Sequence, residues 1–192
     1  MFDNVERVTL IGSRKVPHDI KLLQYTIGAA IREKGITRIS GGANGSDTNF
    51  LIGDNSNDHI IIPHNGFNKL YSSEDSDTII AFEDIDPTFE IKAIQYIEDT
   101  YGDISDEFTR NAYTRNYFQI ESLLGRTDLV IYYAPQNGFT IKGGTKVAVY
   151  LAKELGIPCY NIGIKEDLKA VLKALNIDYI SETYKHTLWD FL

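Results

Sequence analysis

Three short stretches of small residues in this sequence have the composition of anion-binding turns. They are Gly12-Ser13-Arg14, Ser40-Gly41-Gly42-Ala43-Asn44-Gly45-Ser46-Asp47 and Gly143-Gly144-Thr145. Glycine removes the Cβ that would hold a ligand away from the backbone. The first N–H groups of a following helix, with its dipole, then favour an anion. Each stretch therefore reads as a phosphate cradle, and a ligand-free βα turn is the competing reading for any one alone. Arg14 adds a charged fork beside such backbone donors.

The elements that must position these turns alternate along the chain. β-prone runs at residues 7–11, 36–39, 58–63, 128–133 and 157–162 are separated by helical patterns at 19–34, 47–53, 105–124, 142–155 and 166–175. In the first helix Ile20, Leu23, Ile27, Ala30 and Ile31 recur at helical spacing, and Gly35 stops it. The β-α-β order predicts a Rossmann-like, doubly wound parallel sheet in an α/β single domain spanning residues 1–192. Residues 64–108 break the rhythm: they are acidic, with a short strand at 78–82 and a helix at 89–97, and read as a helical and loop insertion. An apolar tail from about residue 181 closes the chain and is expected to dock on the domain. In such a sheet all carboxyl ends of the strands share one edge, so the three turns are expected to converge there.

Several chemistries are excluded or disfavoured. Neither G-x-G-x-x-G nor a P-loop follows the first strand. One cysteine among 192 residues, Cys159, rules out an intramolecular disulfide framework, and its apolar setting makes it a core residue. His18, His59, His64 and His186 share no ligand spacing, and the scattered acids read as a solvated face, so no metal and no cofactor are expected. No apolar run is long enough to cross a membrane and the N-terminus lacks a secretory pattern, which points to a cytoplasmic protein. The net charge of −8 argues against an extended nucleic-acid surface.

The three turns, together with Arg115-Asn116 on the helix before the fourth main strand, resemble the SLOG superfamily. Within it, they are most similar to the Rossmann-like domain of DprA/Smf DNA-processing, recombination-mediator proteins. The resemblance spans roughly residues 7–163 apart from the acidic stretch. It implies that Ser40, Gly41, Gly42, Ala43 and Gly45 bind phosphate, with Asp47 holding the loop or contacting a sugar. It further implies that Arg115 and Asn116 contact the ligand and that Gly143, Gly144 and Thr145 close the pocket. LOG-type phosphoribohydrolases, more distant members, carry a catalytic glutamate after their Gly-Gly-Thr turn. Ala148 stands at that place here.

The expected function is binding of a nucleotide or nucleotide-derived small molecule through Gly12, Ser13, Arg14 and the residues just named, in a sensing or sequestering role. Single-stranded DNA binding by a recombination mediator is the alternative. A second alternative is N-glycosidic hydrolysis of a nucleotide, for which Asp47 and Glu121 are the candidate catalytic carboxylates. A homo-oligomer is the expected assembly. Tyr117 and Phe118, beside Arg115-Asn116, are candidates for stacking on a base, although aromatics on an amphipathic helix usually face a core.

Overall fold

The computed structural model describes residues 1–53, 56–73, 78–138 and 140–177. The tail expected from about residue 181 lies outside the described residues. Six strands, β1 (Arg7–Gly12), β2 (Thr37–Ser40), β3 (Asp58–Ile62), β4 (Ile79–Ala81), β5 (Leu129–Tyr133) and β6 (Cys159–Asn161), form one parallel sheet. Its order is β6-β5-β1-β2-β3-β4. The chain steps outward from β1 to β4, then returns to lay β5 on the opposite side of β1. The winding direction therefore reverses between β1 and β5, and a crevice opens beyond their carboxyl ends.

Helices cover both faces, as the apolar alternation requires. Val8 and Leu10 of β1, with Leu129 and Ile131 of β5, pack against α1 (His18–Glu33) and α6 (Lys165–Ala174). Their neighbours Ile11, Val130 and Tyr132 face the other way, onto α5 (Thr145–Glu154). Further along that face, Ile39 and Ile61 meet Ala93 of α3 (Pro87–Tyr101) and Phe118 of α4 (Glu107–Phe118). Burial on both sides is why these strands read as continuous apolar runs rather than alternating ones.

The acidic stretch has a definite structure. It supplies β4, the sheet's edge strand, paired parallel to β3, in addition to the helical and loop content read from the sequence. Its acids have local work: Asp86 accepts from Thr88 N at 2.7 Å and caps α3, and Asp106 accepts from Thr109 N at 2.8 Å and caps α4. The side chains of Thr88 and Thr109, followed by these backbone N–H groups, hold the two carboxyls below the usual range. Glu83 and Asp84 both accept from Asn65. Among the described residues, no group of three or more His, Cys, Asp or Glu is placed to hold a metal ion.

The helix expected over 105–124 ends at Phe118, and residues 121–126 form a small antiparallel hairpin. The Gln119 carbonyl accepts the Thr9 hydroxyl of β1, and the Ile120 carbonyl accepts Thr127 N, which turns the chain away from the helix axis.

A buried charge ties the sheet to its helices. Arg38, at the centre of β2, is fully buried and grips Asp58 of β3 with two 2.7 Å bonds. Its remaining donors reach the carbonyls of Gly28 (3.2 Å), Phe50 (3.3 Å) and Gly53 (3.1 Å). All five guanidinium hydrogens are thereby engaged, which is the condition under which a buried ion pair is tolerated. Removing one partner strands the other, so Arg38→Met is expected to lower the unfolding free energy by about 3–5 kcal/mol, read from a urea titration.

Cys159 on β6 is half-buried, and burial pushes its thiol up to about 11. At pH 8 the native protein should react with a thiol alkylator ~100-fold more slowly than free cysteine, with the rate climbing toward pH 11. A rate equal to that of free cysteine would contradict the buried setting.

Candidate functional site

The crevice between β1 and β5 holds a cavity of about 420 Å³, within the size range of small-molecule sites. The three turns converge on it. The turn after β1 contributes Gly12, Ser13 and Arg14; the turn after β2 contributes Ala43 and Asp47; the start of α5 contributes Gly143, Gly144 and Thr145. α4 closes the cavity with Arg115 and Asn116. Lys15, Tyr113, Gln119 and Lys142 also line it and were not singled out by the motif.

Of the residues in the long glycine stretch expected to bind phosphate, Ser40, Gly41, Gly42 and Gly45 do not line the cavity. Ser40 is fully buried, and its hydroxyl donates to the Leu10 carbonyl at 2.7 Å. A Cβ on Gly41 would sit 1.3 Å from Nη1 of Arg115, so this glycine exists to let a guanidinium, not a ligand, lie against the backbone. Gly42 is covered by Leu70, Ile60 and Ile62. Gly45, with φ of +98°, abuts the backbone of Ser13 and Arg14, where a Cβ would lie 2.6 Å from either carbonyl oxygen.

The helix after this stretch, α2 (Ser46–Phe50), has five residues, shorter than the expected 47–53. Its first N–H, on Ser46, already donates to the Ser13 carbonyl at 3.0 Å, and the Ser46 hydroxyl reaches the same oxygen at 3.1 Å. Gln24 and Asn49 extend this chain of bonds inward. The glycine stretch is thus a brace that fixes the β1 turn from behind, with Ala43 and Asp47 as its two contributions to the cavity.

Asp47 is the joint. One carboxylate oxygen accepts from Gly12 N at 3.1 Å; the other accepts from Ala43 N at 3.4 Å and faces Nη1 of Arg115 at 3.6 Å. Only 4% of Asp47 and 5% of Arg115 is exposed, so water screens this pair little. Burial pushes the Asp47 carboxyl above the usual value, against the pull of Arg115 and the two backbone donors. Burial likewise draws Arg115 down, opposed by Asp47 and reinforced by the nearby Arg14. Both shifts run against the charged forms, so a single 3.6 Å contact undercompensates the desolvation.

Gln119 supports the guanidinium from the other side. With its amide oxygen toward Gly41 and Arg115, it accepts from Gly41 N at 3.0 Å and from Nη1 at 3.0 Å, while its nitrogen donates to Asn116 Oδ1 at 3.1 Å. Asn116 passes the connection on, donating to the Gly144 carbonyl at 3.0 Å. Phe67 lies under the guanidinium at 5.8 Å. Nε of Arg115 nevertheless has no hydrogen-bond partner.

At the opposite wall α5 begins at Gly144 without a side-chain cap, presenting the positive end of a ten-residue helix to the cavity. Glu121 is elsewhere, on the hairpin, paired with Arg126. Tyr117 and Phe118 belong to the core on the α3–α5 face. Ala148 is fully buried in α5.

Asp47→Ala is expected to cost about 3–5 kcal/mol, because it strands a buried guanidinium and two backbone donors at once. Combined with Arg115→Met, the loss should be smaller than the sum of the two single losses, the mark of a direct pair. Strict additivity in urea titrations would show that the two groups do not interact.

No known family's sequence profile matches the chain, and no curated protein matches it. A solved structure that is similar is DNA processing protein A from Helicobacter pylori, described for its single-stranded DNA binding mode. It shares 16% identity over 90% of this chain and 82% of that one, with a TM-score of 0.38. That likeness carries no residue role to this chain, whose own geometry supports a Rossmann-like single domain with a cavity at the sheet's reversal point.

Proposed function

We propose that the cavity binds a phosphate-bearing small molecule, a nucleotide or a nucleotide-derived ligand, in a sensing or sequestering role. The observation that carries this reading is Arg115: a guanidinium 5% exposed, on the cavity wall, with Nε unpaired. A buried donor without an acceptor costs ~1–3 kcal/mol, so this guanidinium stands at the cavity with donor capacity unspent. Around it, Arg14, Lys15 and Lys142 line the same cavity, so four cations stand against the single carboxylate of Asp47. That concentration of positive charge occurs on a protein of net charge −8. The start of α5 has no side-chain cap, and with the N–H groups of Lys146 and Val147 already donating to the Gly143 and Gly144 carbonyls, its contribution is the positive end of the helix dipole.

The glycosidic-hydrolysis reading fares less well on this geometry. Asp47 is the one acidic residue among those described on the cavity wall, and its oxygens are occupied by Gly12, Ala43 and Arg115. Single-stranded DNA is the second reading. The exposed cations Arg14, Lys15 and Lys142 at the cavity could take successive phosphodiesters of a strand crossing it.

Isothermal titration against inorganic pyrophosphate, nucleoside mono- and diphosphates, ADP-ribose and cyclic nucleotides tests the proposal. A member of the panel is expected to bind, and Arg14→Ala to weaken it by about tenfold or more, with the thermal midpoint unchanged because Arg14 is exposed. Silence across the panel from folded protein would overturn it. A gel shift with single-stranded DNA that weakens steeply with salt would favour the second reading. Release of free base from a nucleoside monophosphate, abolished in Asp47→Asn, would restore the third.

A further inference from the structure

The cavity wall also carries an aromatic ring whose setting the phosphate reading leaves unused. Tyr113, two residues before Arg115 on α4, is among the cavity-lining residues, as are the apolar Ala112, Ile11 and Pro135. Its ring meets Tyr101 of α3 edge-on, with centroids 5.4 Å apart and planes at 72°. Lys146, in the first turn of α5, places its ammonium 5.3 Å from the Tyr101 centroid and 5.6 Å from that of Tyr113. A cation in the first turn of a helix opposes the helix dipole. Two electron-rich ring faces offset that cost. The arrangement joins α3, α4 and α5 at the cavity and fixes the Tyr113 ring before anything binds.

From this we infer that Tyr113 is the surface on which the planar base of the ligand stacks, so that the site takes a nucleoside phosphate in preference to a sugar phosphate. The inference rests on the phosphate reading above and adds to it the recognition of a flat, apolar group. A ring already held by Tyr101 and Lys146 loses little conformational freedom on binding. It sits on the same wall as the cations, so one ligand can meet both. The apolar lining residues Ala112, Ile11 and Pro135 suit a base and give a bare phosphate nothing. Stacking of this kind is sequence-tolerant, because every base has a π-face.

The test is calorimetric titration of each of the four ribonucleoside monophosphates and of ribose 5-phosphate into wild type, Tyr113→Phe, Tyr113→Ala and Lys146→Ala. Wild type is expected to bind at least one nucleotide about tenfold or more tighter than ribose 5-phosphate. Tyr113→Ala should abolish that difference while leaving ribose 5-phosphate affinity unchanged, and Tyr113→Phe should keep it. Lys146→Ala should narrow it, since the ring loses its support. Equal affinity of wild type for nucleotide and sugar phosphate would overturn the stacking role and leave the phosphate site standing. So would a Tyr113→Ala variant, folded by its thermal midpoint, that loses both ligands alike. Failure of every ligand to bind wild type would overturn both.

Discussion

A single carboxylate holds the cavity together. Asp47 takes a hydrogen bond from the backbone of the β1 turn, a second from the backbone of the β2 turn, and the charge of Arg115 from α4. The two turns share the carboxyl edge of the sheet, and Asp47 links that edge to α4 in the helical layer. A carboxylate is suited to the role because its two oxygens accept in several directions and it donates nothing that could compete. Buried beside a cation, it joins two turns and a helix into one wall.

The arrangement is held in an incompletely compensated state. Burial works against both members of the Asp47–Arg115 pair, and their contact is longer than the 2.7 Å bonds between Arg38 and Asp58. The comparison is informative because both pairs join an arginine to an aspartate inside the same domain. Arg38 has every hydrogen engaged and does not line the cavity between β1 and β5. Arg115 keeps an unpaired Nε and faces one. A structural charge is expected to be fully satisfied, whereas a binding charge must keep capacity for what it binds.

The sequence made the architecture readable because a parallel sheet buried on both faces leaves long apolar runs, and Leu129–Tyr133 is the clearest of them. The convergence of the three turns followed from the topology alone, since all carboxyl ends share an edge. What escaped was everything that depends on a side chain crossing from one element to another. Arg38 looked like one residue in a β-prone run, because nothing local signals that Asp58, twenty residues on, will be its partner. Gln119 gave no signal at all: its importance lies in meeting Gly41 and Asn116 across the layer between sheet and helix. The excess helix expected at 119–124 has the same origin, a Thr9 hydroxyl from another strand taking the Gln119 carbonyl.

The long glycine stretch shows what composition says about a cavity wall and what it leaves out. A glycine signals that something approaches the backbone closely, and says nothing of what approaches. At Gly41 it is the guanidinium of Arg115; at Gly45 it is the neighbouring turn. Both approaches are internal, yet both serve the cavity, since one seats its deepest cation and the other sets the position of Arg14. Ser40, Gly41, Gly42 and Gly45 therefore stand one layer behind the cavity wall. The glycines hold the charged groups, and the charged groups, with the start of α5, face the ligand space. Under the proposed reading, an anion entering there would meet side chains already fixed by the brace behind them, so little ordering would oppose its binding.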